Sequence, residues 1–324
     1  MKLGILLVAA ACLLMGCTKE AGPAGAPPGK KITIGIVAKS QSNPVFQAAH
    51  QGARDAAKEL GAKYGVTIEL NIQTPPDEDA QKQAQAVEQI ANSGADGIAV
   101  SCSNASTLQT AIDKAVDKGV PVMCFDSDSP SSKRFAYYGT DDTVCGTRVA
   151  QELAKAMGDK GNVAILAGSE SAPNLQARAK GFKDEMAKHP NIKIVGTFYH
   201  KETPEEAAAA VQQQTTAHPE IEGWGFIGGW PLWTRDALKW PAGKIKVVSV
   251  DGLPAQLTYL TDGHVEELLA QDCYGWGYKS VEMLMEKIVN KKNPPTVKVI
   301  DQLTTVTKAN VDEYAKNWDK WLGK

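Results

Sequence analysis

The sequence predicts an α/β protein built as two doubly wound, parallel-sheet lobes, and three observations carry the prediction. Short β-branched runs alternate with helical stretches, the alternation restarts midway along the chain, and polar residues stand where the apolar runs end. Near-continuous apolar strands are buried on both faces, which requires helical crossovers covering each side of a parallel sheet.

In the first half, Ile32-Thr33-Ile34-Gly35-Ile36-Val37 predicts a strand and Pro44 to Lys63 a helix. Strand Val66 to Ile72, helix Asp77 to Ser93, strand Gly97 to Val100, helix Thr107 to Lys118 and strand Val120 to Phe125 follow. After Tyr137-Tyr138-Gly139-Thr140 the rhythm returns with helix Asp141 to Met157, strand Val163 to Leu166, helix Asn174 to Lys188 and strand Ile192 to Phe198. Helix Pro204 to Ala217 and strands Trp224 to Ile227 and Ile245 to Val250 complete a second sheet. His264 to Ala270 reads as a further strand, Gly275 to Val289 as a helix, Thr296 to Val306 as an extended segment and Val311 to Leu322 as a terminal helix. Spacing alone assigns these last elements to neither sheet.

Ahead of the first strand, Lys2 precedes an apolar run from Leu3 to Leu14. The run is too short for the ~20 residues of a membrane-spanning helix and fits a secretion signal over residues 1–16. Leu14-Met15-Gly16-Cys17 is similar to the lipobox of bacterial lipoproteins, with Met15 a less usual residue at its position. The similarity implies a lipid-bearing Cys17 that holds the exported protein on a membrane, at the periplasmic or cell surface. An ordinary signal peptide cut nearby is the other reading. Thr18 to Lys30 is rich in Gly, Pro and Ala, so residues 17–30 read as a lipidated cysteine and flexible tether.

Composition narrows the function classes. A formal charge of −2 with no basic block argues against nucleic acid as a partner. Of six cysteines, Cys102, Cys124, Cys145 and Cys273 lie beyond the leader, with no CxxC or Cys/His spacing for zinc. Cys102 and Cys124 lie near the ends of successive predicted strands, where a disulfide and free buried thiols are equally open. The five histidines are scattered, neither GxSxG nor HExxH occurs, and no nucleophile has a base beside it. Gly223-Trp224-Gly225-Phe226-Ile227-Gly228 matches GxGxxG inside a predicted strand and not in the turn before a helix, so it forms no phosphate cradle. These absences predict a binding protein without metal or cofactor, not an enzyme.

Polar residues mark the strand ends: Ser40-Gln41-Ser42-Asn43, Ser101, Asp126 and Asp251. Open α/β sheets bind ligands outside the carboxyl ends of their strands. Two lobes whose edges face each other make a cleft.

Seven segments then resemble, in order and spacing, the periplasmic sugar-binding proteins of the ribose and galactose type, the solute receptors of bacterial ABC importers. They are Ser40-Gln41-Ser42-Asn43-Pro44-Val45-Phe46, Asp96-Gly97-Ile98, Gly119-Val120-Pro121-Val122, Phe125-Asp126, Asn174 to Phe182, Val250-Asp251-Gly252 and Ala270-Gln271. The resemblance spans about residues 31 to 300. It implies the type I periplasmic-binding fold, in which the chain crosses between lobes three times through a three-segment hinge near Thr140, Gln271 and Leu303. Carried over, the N-lobe is 31–139 plus 272–300, and the C-lobe is 140–271 plus 301–324.

It also implies ligand positions, each testable against its chemistry. Asp126 and Asp251 match acids that bind sugar hydroxyls, and a carboxylate accepts from two neighbouring OH groups; each also reads as a cap or turn residue. Arg178 offers a planar fork to a pair of sugar oxygens, or is a solvated helix charge. Asn43 and Asn174 read as ligands or as residues of ordinary helix starts, and Gln271 as a ligand on the last crossover or a solvated amide. Phe46 matches a stacking position. Trp230 sits just past a strand, where an aromatic face can meet a sugar ring, while Trp233 and Trp276 fit core and site equally.

The departures bear on specificity. Val45-Phe46 replaces an aromatic pair, Ser127 replaces an arginine after Asp126, Gly229-Trp230 replaces Asn-Asp, and Ser101 replaces an asparagine. Fewer hydrogen-bonding groups and more aromatic surface make ribose itself doubtful and leave another pentose, a hexose, a polyol or a nucleoside open. The sequence is read as a monomeric, membrane-tethered extracytoplasmic receptor that passes a sugar or polyol to an ABC permease. A sensor presenting its closed form to a chemoreceptor or kinase, and less favoured an extracellular sugar-acting enzyme, are the alternatives.

Overall fold

A computed structural model describes residues 29–324. The secretion signal, Cys17 and nearly all of the tether lie outside the described residues.

In chain order the first half gives β1 (Lys31–Val37), α1 (Pro44–Tyr64), β2 (Thr67–Ile72), α2 (Ala80–Asn92), β3 (Gly97–Val100), α3 (Ala105–Asp117), β4 (Val122–Phe125) and β5 (Ala136–Thr140). Then come α4 (Asp142–Met157), β6 (Gly161–Ala167), α5 (Pro173–Met186), β7 (Ile192–Tyr199), α6 (Pro204–Ala217), β8 (Gly223–Phe226) and a 3-10 turn at Trp230–Trp233. The last elements are β9 (Lys246–Val250), α7 (Pro254–Asp262), β10 (Glu267–Ala270), α8 (Cys273–Val289), β11 (Lys298–Asp301), β12 (Thr304–Val306), α9 (Val311–Ala315) and α10 (Asn317–Trp321).

Two six-stranded sheets result, ordered β11-β5-β4-β3-β1-β2 and β12-β10-β9-β8-β6-β7. Every pairing is parallel except β10 with β12. The central strands β1, β3 and β4 and β6, β8 and β9 are buried almost throughout, the burial that their continuous apolar runs require. The predicted two-lobed α/β architecture is therefore present. The chain passes between sheets after β5, after β10 and between β11 and β12, since α4 packs on β8, β9 and β10 while α8 packs on β3, β4 and β5.

Each lobe has one helix pair in backbone contact. A Cβ on Gly52 of α1 would lie 2.0 Å from the Tyr274 carbonyl oxygen, and one on Gly277 of α8 would lie 1.7 Å from that of Ala49. In the other lobe, a Cβ on Gly146 of α4 would lie 1.8 Å from the Arg178 carbonyl oxygen, and one on Gly181 of α5 would lie 2.1 Å from that of Thr143. Only glycine permits these approaches, and the second pair carries three site residues, Asp142, Asn174 and Arg178, as described below.

Three elements differ from the sequence reading. β5 contains Gly139 and two tyrosines, so it offers no apolar run, yet all five of its residues are buried. α7 follows Asp251-Gly252-Leu253 and escapes a periodicity count because it is only nine residues long. The predicted terminal helix breaks at Lys316, whose N–H bonds back to Glu313 in a tight turn, and Trp318 then gives its indole N–H to the Gly252 carbonyl at 2.9 Å. Cys102, Cys124, Cys145 and Cys273 are all buried free thiols, the first two with sulfurs 3.9 Å apart.

Gly277→Ala forces α1 and α8 apart. Overpacking of this kind costs about 1–3 kcal/mol, so the urea midpoint of Gly277→Ala should fall below that of the parent; an unchanged midpoint would contradict the close packing.

Candidate ligand-binding site

The carboxyl ends of both sheets face one another. Lys39, Ser101 and Asp126 follow β1, β3 and β4 of one lobe, while Gly229, Asp251 and Gln271 follow β8, β9 and β10 of the other. Between these edges is a cavity with about 350 Å³ of space not filled by protein atoms. The N-lobe sheet and its helices contribute Lys39, Asn43, Phe46, Asp126 and Trp276. The opposite side contributes Asn174, Arg178, Glu202, Trp230, Asp251 and Gln271, with Trp233 and Leu175 beside them.

Of the residues predicted from sequence, Ser101 alone does not line the cavity. It is fully buried, and its hydroxyl donates to Asp126 Oδ2 at 2.6 Å, so it holds the carboxylate. Asn43 fills both of its readings: Oδ1 accepts from the Val45 N–H at 3.1 Å as the cap of α1, and the residue lines the cavity. Asn174 does not cap α5; its Oδ1 lies 3.4 Å from Lys39 Nζ of the other lobe. Phe46 pairs with Trp276 at 6.1 Å between ring centroids, and Trp230 with Trp233 at 6.2 Å.

Asp126 and Asp251 adopt left-handed backbone, with φ of 57° and 70°. This region is uncommon for residues other than glycine, and it clusters at functional sites where surrounding structure holds it in place. Here the Asp126 N–H donates to the Tyr138 carbonyl at 3.1 Å and the Asp251 N–H to that of Leu269 at 2.9 Å, so neighbouring strands hold both. Tyr137 adds its hydroxyl to the carbonyls of Asp126 at 2.8 Å and Thr140 at 3.1 Å, tying the acid to the first crossover.

A continuous polar network backs the C-lobe wall. Arg178 Nε donates to Asp142 Oδ1 at 2.8 Å, Nη1 to the Ile227 carbonyl at 3.1 Å and Nη2 to Gln271 Oε1 at 2.6 Å. Gln271 Nε2 donates in turn to Asp251 Oδ1 at 2.8 Å, and the Gly229 N–H approaches Asp251 Oδ2 at 3.4 Å. Burial works against the charge on Arg178, and the carboxylates, Asp142 foremost, more than restore it, so the guanidinium stays cationic. Burial also pushes the Asp142 carboxyl up to about 7 against the pull of Arg178, and raises Asp251. Asp142 went unrecognised in the sequence because an acid in the first turn of a helix has an ordinary explanation in the helix dipole.

At the cleft mouth, Lys39 is 3 % exposed, with Nζ 3.9 Å from Glu78 Oε1. Burial would lower its pKa, yet Glu78, Glu202 and Asp126 together raise it. Glu202 from the other lobe adds negative charge beside Glu78; burial chiefly pushes Glu78 up to about 8, while Lys39 pulls the other way. Glu78 and Glu202 also line a wider outer cleft of about 1700 Å³ by the same measure of unfilled space. Lys39 and Glu202 are strand-end residues like those singled out from sequence, and position was the only signal that could have found them. Among the described residues no group of three or more His, Cys, Asp and Glu side chains could hold a metal ion, and no helix is long and apolar enough to cross a membrane.

Residues 34–292 match the family described as the periplasmic binding protein domain. A ribose import binding protein of Bacillus subtilis is 23 % identical over 306 residues, covering 93 % of this chain and 97 % of its own. A D-ribose/D-allose-binding protein of Pseudomonas aeruginosa is 28 % identical over 248 residues, covering 73 % and 76 %. Among solved structures, an ABC transporter solute binding protein of Burkholderia graminis in complex with D-arabinose superposes with a TM-score of 0.79 at 29 % identity, covering 91 % of this chain and 99 % of that one.

The Glu78 value fixes a pH dependence. An unfolded glutamate titrates near 4.3, whereas Glu78 titrates near 8 in this fold, so the folded state binds the extra proton. Its contribution to stability is fully present below the unfolded value and is lost as pH rises through about 8. Thermal melts between pH 5 and 9 should show the parent losing more stability with rising pH than Glu78→Gln does, and parallel curves would contradict the assignment.

Proposed function

This chain belongs to the periplasmic binding protein domain family, and on that premise we propose that it captures a neutral monosaccharide or polyol between its lobes and delivers it to an ABC permease. One observation carries the reading: Asp126 from one lobe and Asp251 from the other line the same cavity, with Arg178 fixed behind Asp251 through Gln271 and with aromatic side chains on both sides. Carboxylates accept from sugar hydroxyls, the guanidinium and amides donate to sugar oxygens, and rings cover the C–H faces. The relatives named for ribose, allose and arabinose support the same substrate class. The protein binds and releases its ligand and makes or breaks no bond in it.

Closure is a rigid rotation about the three crossovers, favoured because ligand contacts from both lobes exist together only in the shut form. The receptor works outside the cytoplasm as a monomer, tethered through a lipid on Cys17. Ser127 and Trp230, where ribose-type receptors carry an arginine and an acid, direct the preference away from ribose and towards a ligand with more ring surface.

A thermal-shift panel of D-ribose, D-allose, D-arabinose, D-xylose and xylitol tests the reading on the purified protein, since a ligand of the native state raises Tm by mass action. At least one compound should raise Tm by several degrees. Asp126→Asn and Asp251→Asn keep the side-chain shape and tolerate left-handed backbone, and each should weaken that ligand by roughly 10- to 150-fold with little change in unliganded Tm. No shift with any compound, or equal shifts in parent and variants, would contradict it.

A further inference from the structure

All strands of the N-lobe sheet are parallel and run from a base towards the cleft, so the helices between them return to that base. The ends of α1, α3 and α8 and the starts of β1 and β11 therefore share the face farthest from the cavity. Six exposed lysines stand there: Lys30, Lys63, Lys118, Lys291, Lys292 and Lys298. The ion pairs near this face use other lysines, Lys31, Lys114 and Lys133, and these six form none among the described residues. The acids of the face are already engaged. Asp96 accepts from the Thr33 N–H at 2.8 Å, Glu69 pairs with Lys31, and Asp117 pairs with Lys133. Val297, just ahead of β11, is 55 % exposed beside Lys298.

A lysine near a helix C-terminus has an ordinary explanation in the helix dipole. The C-lobe tests that explanation, because α4, α5, α6 and α7 end on its base in the same way. There the exposed Lys160, Lys193, Lys244 and Lys308 are matched by the exposed Asp159, Glu220, Glu222 and Asp262. The positive excess thus belongs to the N-lobe base alone. It is made by the fold, since its lysines are scattered from residue 30 to residue 298 and form no block in the sequence. The chain also enters the fold at this face: β1 starts at Lys31, 14 residues after Cys17. Even fully extended, that stretch reaches no more than about 50 Å, so a lipid on Cys17 keeps the base close to its membrane. We infer that the N-lobe base docks on an anionic phospholipid surface, its lysines facing the headgroup phosphates and Val297 entering the interface. The contact is a second attachment beside the lipid, and it leaves the cleft, at the other end of the lobe, open to solute. The inference rests on the membrane-tethered reading above.

Vesicle sedimentation tests it on a chain that starts at residue 17 and carries Cys17→Ser, which keeps both sheets complete and bears no lipid. The vesicles are equal parts phosphatidylglycerol and phosphatidylcholine, or phosphatidylcholine alone, in about 50 mM and about 500 mM salt. The parent should sediment with the anionic vesicles only, and the higher salt should release it. Replacing Lys63, Lys118, Lys292 and Lys298 together by Gln should weaken the partitioning by roughly tenfold or more. Replacing Lys160, Lys193, Lys244 and Lys308 by Gln makes the same change in net charge on the other lobe, and should leave the partitioning within about threefold of the parent. Melting temperatures confirm that both exposed-lysine variants keep the fold. No binding of the parent to the anionic vesicles at low salt, equal binding to both vesicle types, or equal losses in the two variants would overturn the docking face. The tether is read separately, from the mass of the full chain recovered from membranes: an unmodified Cys17 strikes the lipid reading, whatever the vesicles show.

Discussion

A guanidinium buried among carboxylates is the constraint around which one wall of the cleft is built. Taking a charge out of water costs several kcal/mol, and Arg178 meets that cost by filling its donors with Asp142, the Ile227 carbonyl and Gln271. The arrangement needs α4 and α5 in backbone contact, which Gly146 and Gly181 permit. Two glycines that do not line the cavity thus decide where Arg178 sits, and through Gln271 they decide how Asp251 is held. Fold and site are a single packing problem in the C-lobe.

The N-lobe solves a matching problem with different parts. Asp126 is held by Ser101 and by left-handed backbone at a strand end, as Asp251 is held by Gln271 and by the same backbone conformation. The two acids therefore meet the cavity from opposite sides without touching each other. The hinge is knit separately: the Tyr138 hydroxyl donates to Asp272 Oδ2 at 2.9 Å, while Asp272 Oδ1 caps α8 at the Gly275 N–H at 2.8 Å. A Cβ on Gly275 would fall 1.6 Å from the Asp272 carboxylate, so a side chain there would displace the capping group. A ligand that bridges the acids adds its contacts to the shut arrangement alone, which is the differential affinity that closure demands.

Most of the fold was legible because buried parallel strands must be apolar, and the runs at Ile32, Val163 and Val247 say so directly. β5 was not, since Tyr137 and Tyr138 owe their burial to tertiary neighbours and not to any local pattern. In the site, strand-end position together with family resemblance located eight of the nine predicted residues on the cavity. Ser101 stands one step behind, because a short hydroxyl beside an acid serves the acid first. Lys39, Asp142 and Glu202 were missed for one physical reason. A charged residue near a helix or strand end is usually solvated, and only tertiary burial turns it into part of a site.

The central claim is that one small polyhydroxylated molecule is gripped by both lobes at once. Diffraction from crystals grown with the tightest-binding sugar tests it most directly. The account predicts a single sugar in the inner cavity, within hydrogen-bond distance of both Asp126 and Asp251. Density for the sugar in the outer cleft beside Tyr199 and His200, or against one lobe alone, would contradict it.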